Sequence, residues 1–392
     1  MKKNILFFVK TFNADKQKWL TDELIYEFSK THKCTIFCID RKNEWKTGKY
    51  QINDSIELIV FSLKRKKNKI KTLFDLYYHS RVFFFQHIAG KSFDLLIEFS
   101  IFSYFWGLGR KLKKEHRVKK SFGILWDFFP IHQVQTGHIS KHISKILYFF
   151  EKKEVLSKDL IFLMSEQNIT FFNNYYPKHN CRTEILYIWS DEEKEVKYNN
   201  VFKMDKNKLN IVFGGQLEKG RGIESIINSI VNSTQLENKV SLYIIGDGRL
   251  KSRIEKQIQN SKNIHLLPPM SRSEYLGFLA SCDIGLVTTV PNVSIPSFPS
   301  KILDYLYMSK LVIASTESSS DFGQYVENKI ACGYNVTAGD SESFIKILNK
   351  VYYLKYNDNE KFIKLGANGR KFFQRYMTTK IAVKKIVNTF EG

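Results

Sequence analysis

The chain has 392 residues, 43% hydrophobic and 26% charged, with 7 Pro and 20 Gly, which excludes a collagen-like or disordered chain and exceeds what one ordinary core organises. Lys and Arg outnumber Asp and Glu by 61 to 39, a formal charge of +22 divided almost evenly between the halves. Such a surplus suits nucleic acid, an anionic lipid surface or a phosphorylated small molecule, although a Lys-rich coding bias produces it equally well. Five scattered Cys form neither a disulfide framework nor a CxxC knuckle and fit a reducing cytoplasm.

Along the chain, the apolar run Ile5–Val9 is too short for a signal peptide and lacks a cleavage site, so Asn4–Val9 reads as a first strand. Further strands are predicted at Cys34–Asp40, Ile56–Phe61, Asp94–Phe99, Ser121–Trp126, Leu160–Met164 and Glu184–Ile188, with helical periodicity in Lys18–Ser29, Leu73–Ile88 and His142–Leu156. The second half repeats the pattern with strands at Leu209–Gly214, Val240–Gly246, Ile264–Leu267, Ile284–Thr288 and Leu311–Ser315. Two doubly wound α/β units follow. The polar stretch Ser190–Lys208 interrupts the rhythm and places a first domain at residues 1–195 and a second at 196–375. After Leu354 only helical patterns remain, in Glu360–Tyr376 and Lys380–Phe390; residues 376–392 are expected to pack back on the first domain as a terminal helix. No window approaches the roughly 18–20 apolar residues of a membrane-spanning helix.

Doubly wound sheets bind ligands at the carboxyl ends of their strands, so the loops there carry the chemistry. FGGQLEKGRG, Phe213–Gly222, leaves a strand and starts the helix Ile223–Val231. Gly215 and Gln216 open a glycine-rich turn whose amides approach an anion, and Lys219 and Arg221 add positive potential; a plain turn with exposed cations gives the same pattern. The GDG turn at Gly246–Gly248 reads as structural, with Asp247 a candidate N-cap. In LLPPM, Leu266–Met270, a stiff loop carrying Pro269 and Met270 offers a surface for a base, followed by the capping-box spacing Ser271–Glu274. SIPSFPSKILDYL, Ser294–Leu306, is the most informative. Pro299 in the first helical position, or Ser300 as a cap, aims free amides at the crevice beside Lys301, and Asp304 one turn on suits a ribose diol. An anion at the helix start with a diol one turn away describes a nucleoside diphosphate.

In the order IVFGGQLEKGRGIESII, LYIIGDG, the Pro-Pro loop and SFPSKILDYLYMSKLVIAS, the second half resembles the nucleotide-sugar domain of GT-B glycosyltransferases of family 4. With ILWDFFPIHQ (124–133) and ILYIWSD (185–191), the chain is similar to the bacterial branch of O-antigen and capsule N-acetylfucosaminyltransferases. The resemblance implies a GT-B fold, two Rossmann-like domains facing each other across a cleft. It also implies transfer of a hexosyl or N-acetylhexosaminyl unit from a nucleoside diphosphate, UDP by expectation, to a lipid-linked or oligosaccharide acceptor. Lys219 or Arg221 would meet the diphosphate with Ser300 and Lys301, and Asp304 the ribose. Two positions depart from the family: Gln216 stands where many members have Arg, and the Glu-x7-Glu pattern is replaced by Pro296 and Asp304. Asp127, after the strand Ser121–Trp126, is the candidate general base of an inverting reaction or the group that orients the donor in a retaining one; otherwise it caps the turn before Pro130.

No acidic DxD-type pair occupies a convincing loop, so metal independence and no cofactor are expected. His138 and His142 lack the Glu of HExxH and read as a solvated helix face. The basic clusters Lys64–Lys69 and Arg110–Lys114 flank the aromatic stretches Phe83–Phe85 and Phe102–Trp106, which suggests a cytoplasmic enzyme peripheral at the inner face of an anionic membrane unless the aromatics are buried. Two other readings are a GT-B-shaped nucleotide-sugar 2-epimerase and a nucleic-acid-binding protein; the chain shows no helix-turn-helix, zinc-finger or RNP signature for the latter.

Overall fold

Short, continuous apolar runs become central parallel strands because such strands are covered on both faces. The computed structural model describes residues 2–14, 19–42, 44–63, 72, 74–198 and 204–392. It divides into one unit of Met1–Ser190 with Thr379–Gly392 and a second of Asp191–Thr378.

Among the described residues, the first unit holds β1 (Asn4–Val9), β2 (Lys33–Asp40), β3 (Gly48–Asn53), β4 (Ile56–Ser62), β5 (Phe93–Phe99), β6 (Val118–Ile124), β7 (Leu160–Leu163) and β8 (Arg182–Ile185). They form one sheet in the order β3-β4-β2-β1-β5-β6-β7-β8, parallel except for β3 against β4. The second unit holds β9 (Leu209–Gly214), β10 (Val240–Ile245), β11 (Ile264–Leu267), β12 (Ile284–Thr288), β13 (Leu311–Thr316) and β14 (Gly333–Thr337), in the order β11-β10-β9-β12-β13-β14, all parallel. Both sheets run outward in two directions from their first strand, so the chain order reverses between β1 and β5 and again between β9 and β12. Those are the switch points at which such sheets leave a crevice.

Two edge strands lie outside the sequence reading. β3 alternates half-exposed and exposed residues, and β14, GYNVT, is too polar for an apolar run. Each has a neighbour on one side only and needs no double cover. The strand expected at Glu184–Ile188 sits earlier, at Arg182–Ile185.

The two faces of the first sheet carry separate cores. On one, Phe7 and Ile36 pack with Leu24 and Phe28 of the helix Leu20–Ser29, and with Ala382 and Ile386 of the helix Thr379–Glu391. On the other, Phe8 lies 4.9 Å from Phe105 and Phe37 lies 4.5 Å from Phe84, ring centre to ring centre. Phe84, Phe102 and Phe105 are therefore core residues, so of the two readings of these stretches the buried one holds for these rings. Three of the cations placed beside them are paired: Arg110 with Glu154 at 2.8 Å, Lys111 with Glu115 at 3.6 Å and Lys113 with Asp159 at 2.7 Å. The Lys64–Lys69 cluster lies outside the described residues.

The junctions between units differ by a few residues from 195 and 376. The Thr379 amide donates to the Ser190 carbonyl at 3.1 Å and closes the first unit on itself, while the Lys197 amide donates to the Ser273 carbonyl at 3.0 Å and ties residues 191–198 to the second. Helix Thr379–Glu391 holds to the first unit through Ala382, Val383 and Ile386, all buried. Ile386 is fully buried, so Ile386→Ala is expected to destabilise the protein by about 2–5 kcal/mol. Urea unfolding followed by circular dichroism measures this.

Candidate functional site

The second unit brings three loops together beside its switch point. The loops after β9 and β10 lie backbone against backbone: the Gly215 amide donates to Ile245 at 2.9 Å, Leu217 to the Asp247 carbonyl at 2.8 Å and Leu250 to the Leu217 carbonyl at 2.9 Å. Gly246 has φ +156°, and a Cβ there would collide with the Gly215 carbonyl oxygen, so this approach needs glycine. Gly222, φ +73°, ends the first loop, and a Cβ on it would strike the Thr289 carbonyl after β12. Thr288 Oγ1 donates to the Arg221 carbonyl and fixes the same junction.

Gly222 occupies the N-cap of the helix Ile223–Val231, and no side chain caps that end. The first-turn amides and the positive end of the helix dipole are left for an outside partner. Lys219 and Arg221 stand exposed on the loop before it, without an ion pair among the described residues. Glu218 just before them pairs instead with Arg249 at 2.7 Å, so the loop keeps its positive charge. Gly215 and Gln216 are exposed at its start.

Lys301 completes this cluster. Its buried Nζ has no hydrogen-bond partner among the described residues and lies 3.4 Å from the centre of the Phe213 ring. A Cβ on Gly215 would come within 2.9 Å of the lysine Cε and 3.0 Å of its Nζ, so the ammonium fits only because residue 215 has no side chain. Burial pushes the Lys301 pKa well below its ordinary value, and the neighbouring Arg221 charge pushes in the same direction. An ammonium held out of water without a partner is unfavourable. A bound anion would relieve that cost, and groups perturbed in this way concentrate at functional sites.

Glu317, which the sequence reading passes over, holds the segment that carries Lys301. Its carboxylate is buried and accepts from the Ser297 amide at 3.0 Å, from Ser297 Oγ at 2.6 Å and from Thr289 Oγ1. The Glu317 amide donates back to Thr289 Oγ1 at 3.0 Å. The available signal was an acidic residue two positions beyond a predicted buried strand, at its carboxyl end.

Two expectations are corrected. Helix Ile302–Tyr307 starts one residue later than a Ser300 cap requires: Leu303 donates to the Ser300 carbonyl at 3.1 Å and Asp304 to the Lys301 carbonyl at 3.2 Å, with no side-chain cap. Ser300 is exposed and contributes its carbonyl rather than its hydroxyl, and Pro299 lies before the first helical position. Asp304 is buried, and its Oδ1 accepts from Lys194 at 3.0 Å and from Arg272 at 2.7 Å. That oxygen is committed to two cations, which tie residues 191–198 and the start of helix Arg272–Ser281 to this helix, rather than standing free for a ribose diol.

Pro269 is exposed and Met270 half-buried in the loop after β11, separated from β9 by β10. The next helix, Arg272–Ser281, begins with a full capping box between Ser271 and Glu274.

In the first unit Asp127 is exposed after β6, beside that sheet's own switch point. Ser100 Oγ, after β5, accepts from the Trp126 amide at 2.7 Å and from the Asp127 amide at 3.4 Å. Lys10, after β1, donates to the Ser100 carbonyl at 2.6 Å. Burial lowers the Lys10 pKa to about 8 against the opposing pull of Glu151 and Asp127. The Asp127 carboxylate accepts no hydrogen bond among the described residues, so it does not cap the turn before Pro130. No group of three or more His, Cys, Asp or Glu among the described residues is arranged to hold a metal.

Residues 208–353 match the family model described as Glycosyl transferases group 1. Two curated relatives are uncharacterized glycosyltransferases of Methanocaldococcus jannaschii. One is 25% identical over 203 residues, 51% of this chain and 48% of that protein; the other is 27% identical over 150 residues, 35% of each. The matches thus span less than half the length of these relatives. Among solved structures, sucrose-phosphate synthase from Thermosynechococcus elongatus aligns with a TM-score of 0.76 at 13% identity, over 100% of this chain and 98% of that one. The structure described as trehalose-6-phosphate from E. coli bound with UDP-2-fluoro glucose gives 0.70 at 12% identity over 99% of each. HepE of Anabaena in complex with UDP and glucose gives 0.67 at 14% identity over 100% of each. Residues 208–353 thus carry the match to Glycosyl transferases group 1, and the chain has the GT-B fold of two Rossmann-like α/β units seen in these solved structures.

Proposed function

We propose that this protein is a metal-independent glycosyltransferase that moves a hexosyl or N-acetylhexosaminyl unit from a UDP-sugar to a lipid-linked or saccharide acceptor in surface polysaccharide synthesis, at the inner face of a membrane. The observation that carries the reading is the partnerless Lys301 ammonium, buried behind the Gly215 loop and beside Arg221. A diphosphate supplies the missing partner. The neighbours solved with UDP, UDP-2-fluoro glucose or UDP and glucose support a uridine nucleotide.

In this reading the α- and β-phosphates meet the uncapped amides of helix Ile223–Val231, with Lys219 and Arg221 at its rim and Lys301 beneath. Gln216 donates a hydrogen bond but carries no charge, so these three cations take the load. As the glycosidic bond breaks, negative charge grows on the departing diphosphate, and fixed cations and amide dipoles stabilise that charge with no metal required. Pro269 and Met270 offer the surface for the base. Asp304 acts at a distance, by holding Arg272 and Lys194. Asp127, exposed after β6 in the first unit, is assigned the acceptor proton or the orientation of the donor.

Lys301→Met tests the reading through two opposed effects. Removing a charged hydrogen bond to phosphate should weaken UDP binding about 10- to 100-fold. Removing a buried, unpaired ammonium should raise the melting temperature of the free protein. Calorimetric titration and thermal unfolding measure the pair; loss of stability with unchanged UDP affinity would refute the assignment.

Lys301 has a depressed pKa in the free protein, and a bound anion raises it. Between the depressed value and 10.5, binding must therefore take up a proton, and affinity must fall as pH rises through that window. Titrations in buffers of different ionisation enthalpy report this uptake. Asp127→Asn should lower kcat by about 100- to 10,000-fold with UDP affinity unchanged, measured by steady-state kinetics beside the same titration. Turnover should survive chelation with EDTA.

A further inference from the structure

The aromatic stretches weighed as membrane-facing are largely core, but another surface of the first unit has the required chemistry. In the helix Lys141–Val155, Ile143, Ile146 and Phe149 are 56%, 62% and 53% exposed. Their spacing of three places them along one side. Phe150 turns inward, its ring 4.1 Å from Trp106, while Phe149 faces solvent with Lys153 Nζ 4.1 Å over its ring.

The charges are sorted by side. Lys141, Lys145 and Lys153 are exposed and Lys152 half-buried, none in an ion pair among the described residues. The helix's two carboxylates are buried: Glu151 accepts from the Phe102 and Ser103 amides at 2.9 and 2.8 Å, and Glu154 pairs with Arg110. The outer face therefore offers three large apolar side chains and a surplus of lysine, with no acid of its own. Singly exposed apolar residues need no explanation, but a contiguous stripe does.

We infer that this face of helix Lys141–Val155 docks the protein on an anionic lipid surface, with Ile143, Ile146 and Phe149 in the interfacial layer and the lysines on the headgroup charges. Apolar residues flanked by lysines are the composition of a helix lying in a membrane interface, and each lysine near an anionic leaflet strengthens binding about fivefold. A second copy fits poorly, since a two-fold contact through this face would set lysine against lysine. The inference deepens the proposed function, from which it takes only the lipid-linked class of acceptor. Helix Ile131–Gln135 leads from the Asp127 loop directly to this helix, which places the docking face close in sequence to the proposed acceptor chemistry.

The full chain would be sedimented with vesicles of equal parts phosphatidylglycerol and phosphatidylcholine, and with phosphatidylcholine alone. Wild type should pellet with the mixed vesicles and be released by salt. Ile146→Glu with Phe149→Glu should cut partition at least tenfold, and Lys145→Ala with Lys153→Ala about 25-fold. Ile146→Ser gives a milder second variant. UDP affinity should hold in all of them, so loss of docking and loss of the donor site are read separately. Equal binding to neutral vesicles would overturn the inference, as would wild-type partition of the double glutamate variant. So would a dimer that this variant splits in sedimentation velocity.

Discussion

The second unit is organised around a buried lysine amine with no hydrogen-bond partner among the described residues. Lys301 can rest on the Phe213 ring because Gly215 has no side chain, and Glu317 holds the segment on which it rides. Each of these would be a poor choice for stability alone: a glycine that loosens a loop, a buried carboxylate, an ammonium out of water. Under the proposed function they make a preorganised anion site, whose cost the free protein bears and the ligand relieves. Tight coupling of the loops after β9, β10 and β12 fixes the Gly215 backbone against which the Lys301 side chain packs.

Much of this arrangement is legible in the sequence because parallel strands announce themselves. Leu209–Phe213 and Val240–Ile245 are buried throughout, so they appear as apolar runs, each broken by a single polar residue (Asn210, Ser241), with glycine just beyond their carboxyl ends. Edge strands such as β3 carry no such signal, since one neighbour permits a half-polar sequence. Lys219, Arg221 and Lys301 are readable as cations near helix starts, yet sequence gives no means of telling that two are exposed and one is buried.

Asp304 shows where local periodicity fails. Residues four apart share a face only if both lie in the helix, and the helix begins at Ile302. The turn before it breaks the relation between Ser300 and Asp304, and the carboxylate finds Arg272 and Lys194, 32 and 110 residues away in the chain. The partners of Glu317 are hidden for the same reason: its three donors come from Thr289 and Ser297, gathered by the sheet rather than by sequence. The aromatic stretches around Phe84 and Phe105 keep two readings in the sequence because a basic flank does not say which side of a helix a ring occupies.

A net charge of +22 says little until it is known which charges are spent internally. Arg110, Lys113 and Lys158 are matched by Glu154, Asp159 and Glu98, whereas the surplus left unmatched includes the Gly215 loop of the second unit and the outer face of helix Lys141–Val155 in the first. Both sites use the same physics in different solvents. Lys301 is dehydrated, which in the proposed reading suits a small, dense anion; the lysines of the outer face stay hydrated and suit a diffuse one. In the first unit Glu151 and Glu154 turn inward to cap Phe102 and Ser103 and to hold Arg110, so the groups that stabilise the core are the same ones whose removal from the surface leaves that face purely cationic. Folding and electrostatic sorting are here one event, and the docking face follows from how the helix is anchored rather than from any surplus of lysine in the composition.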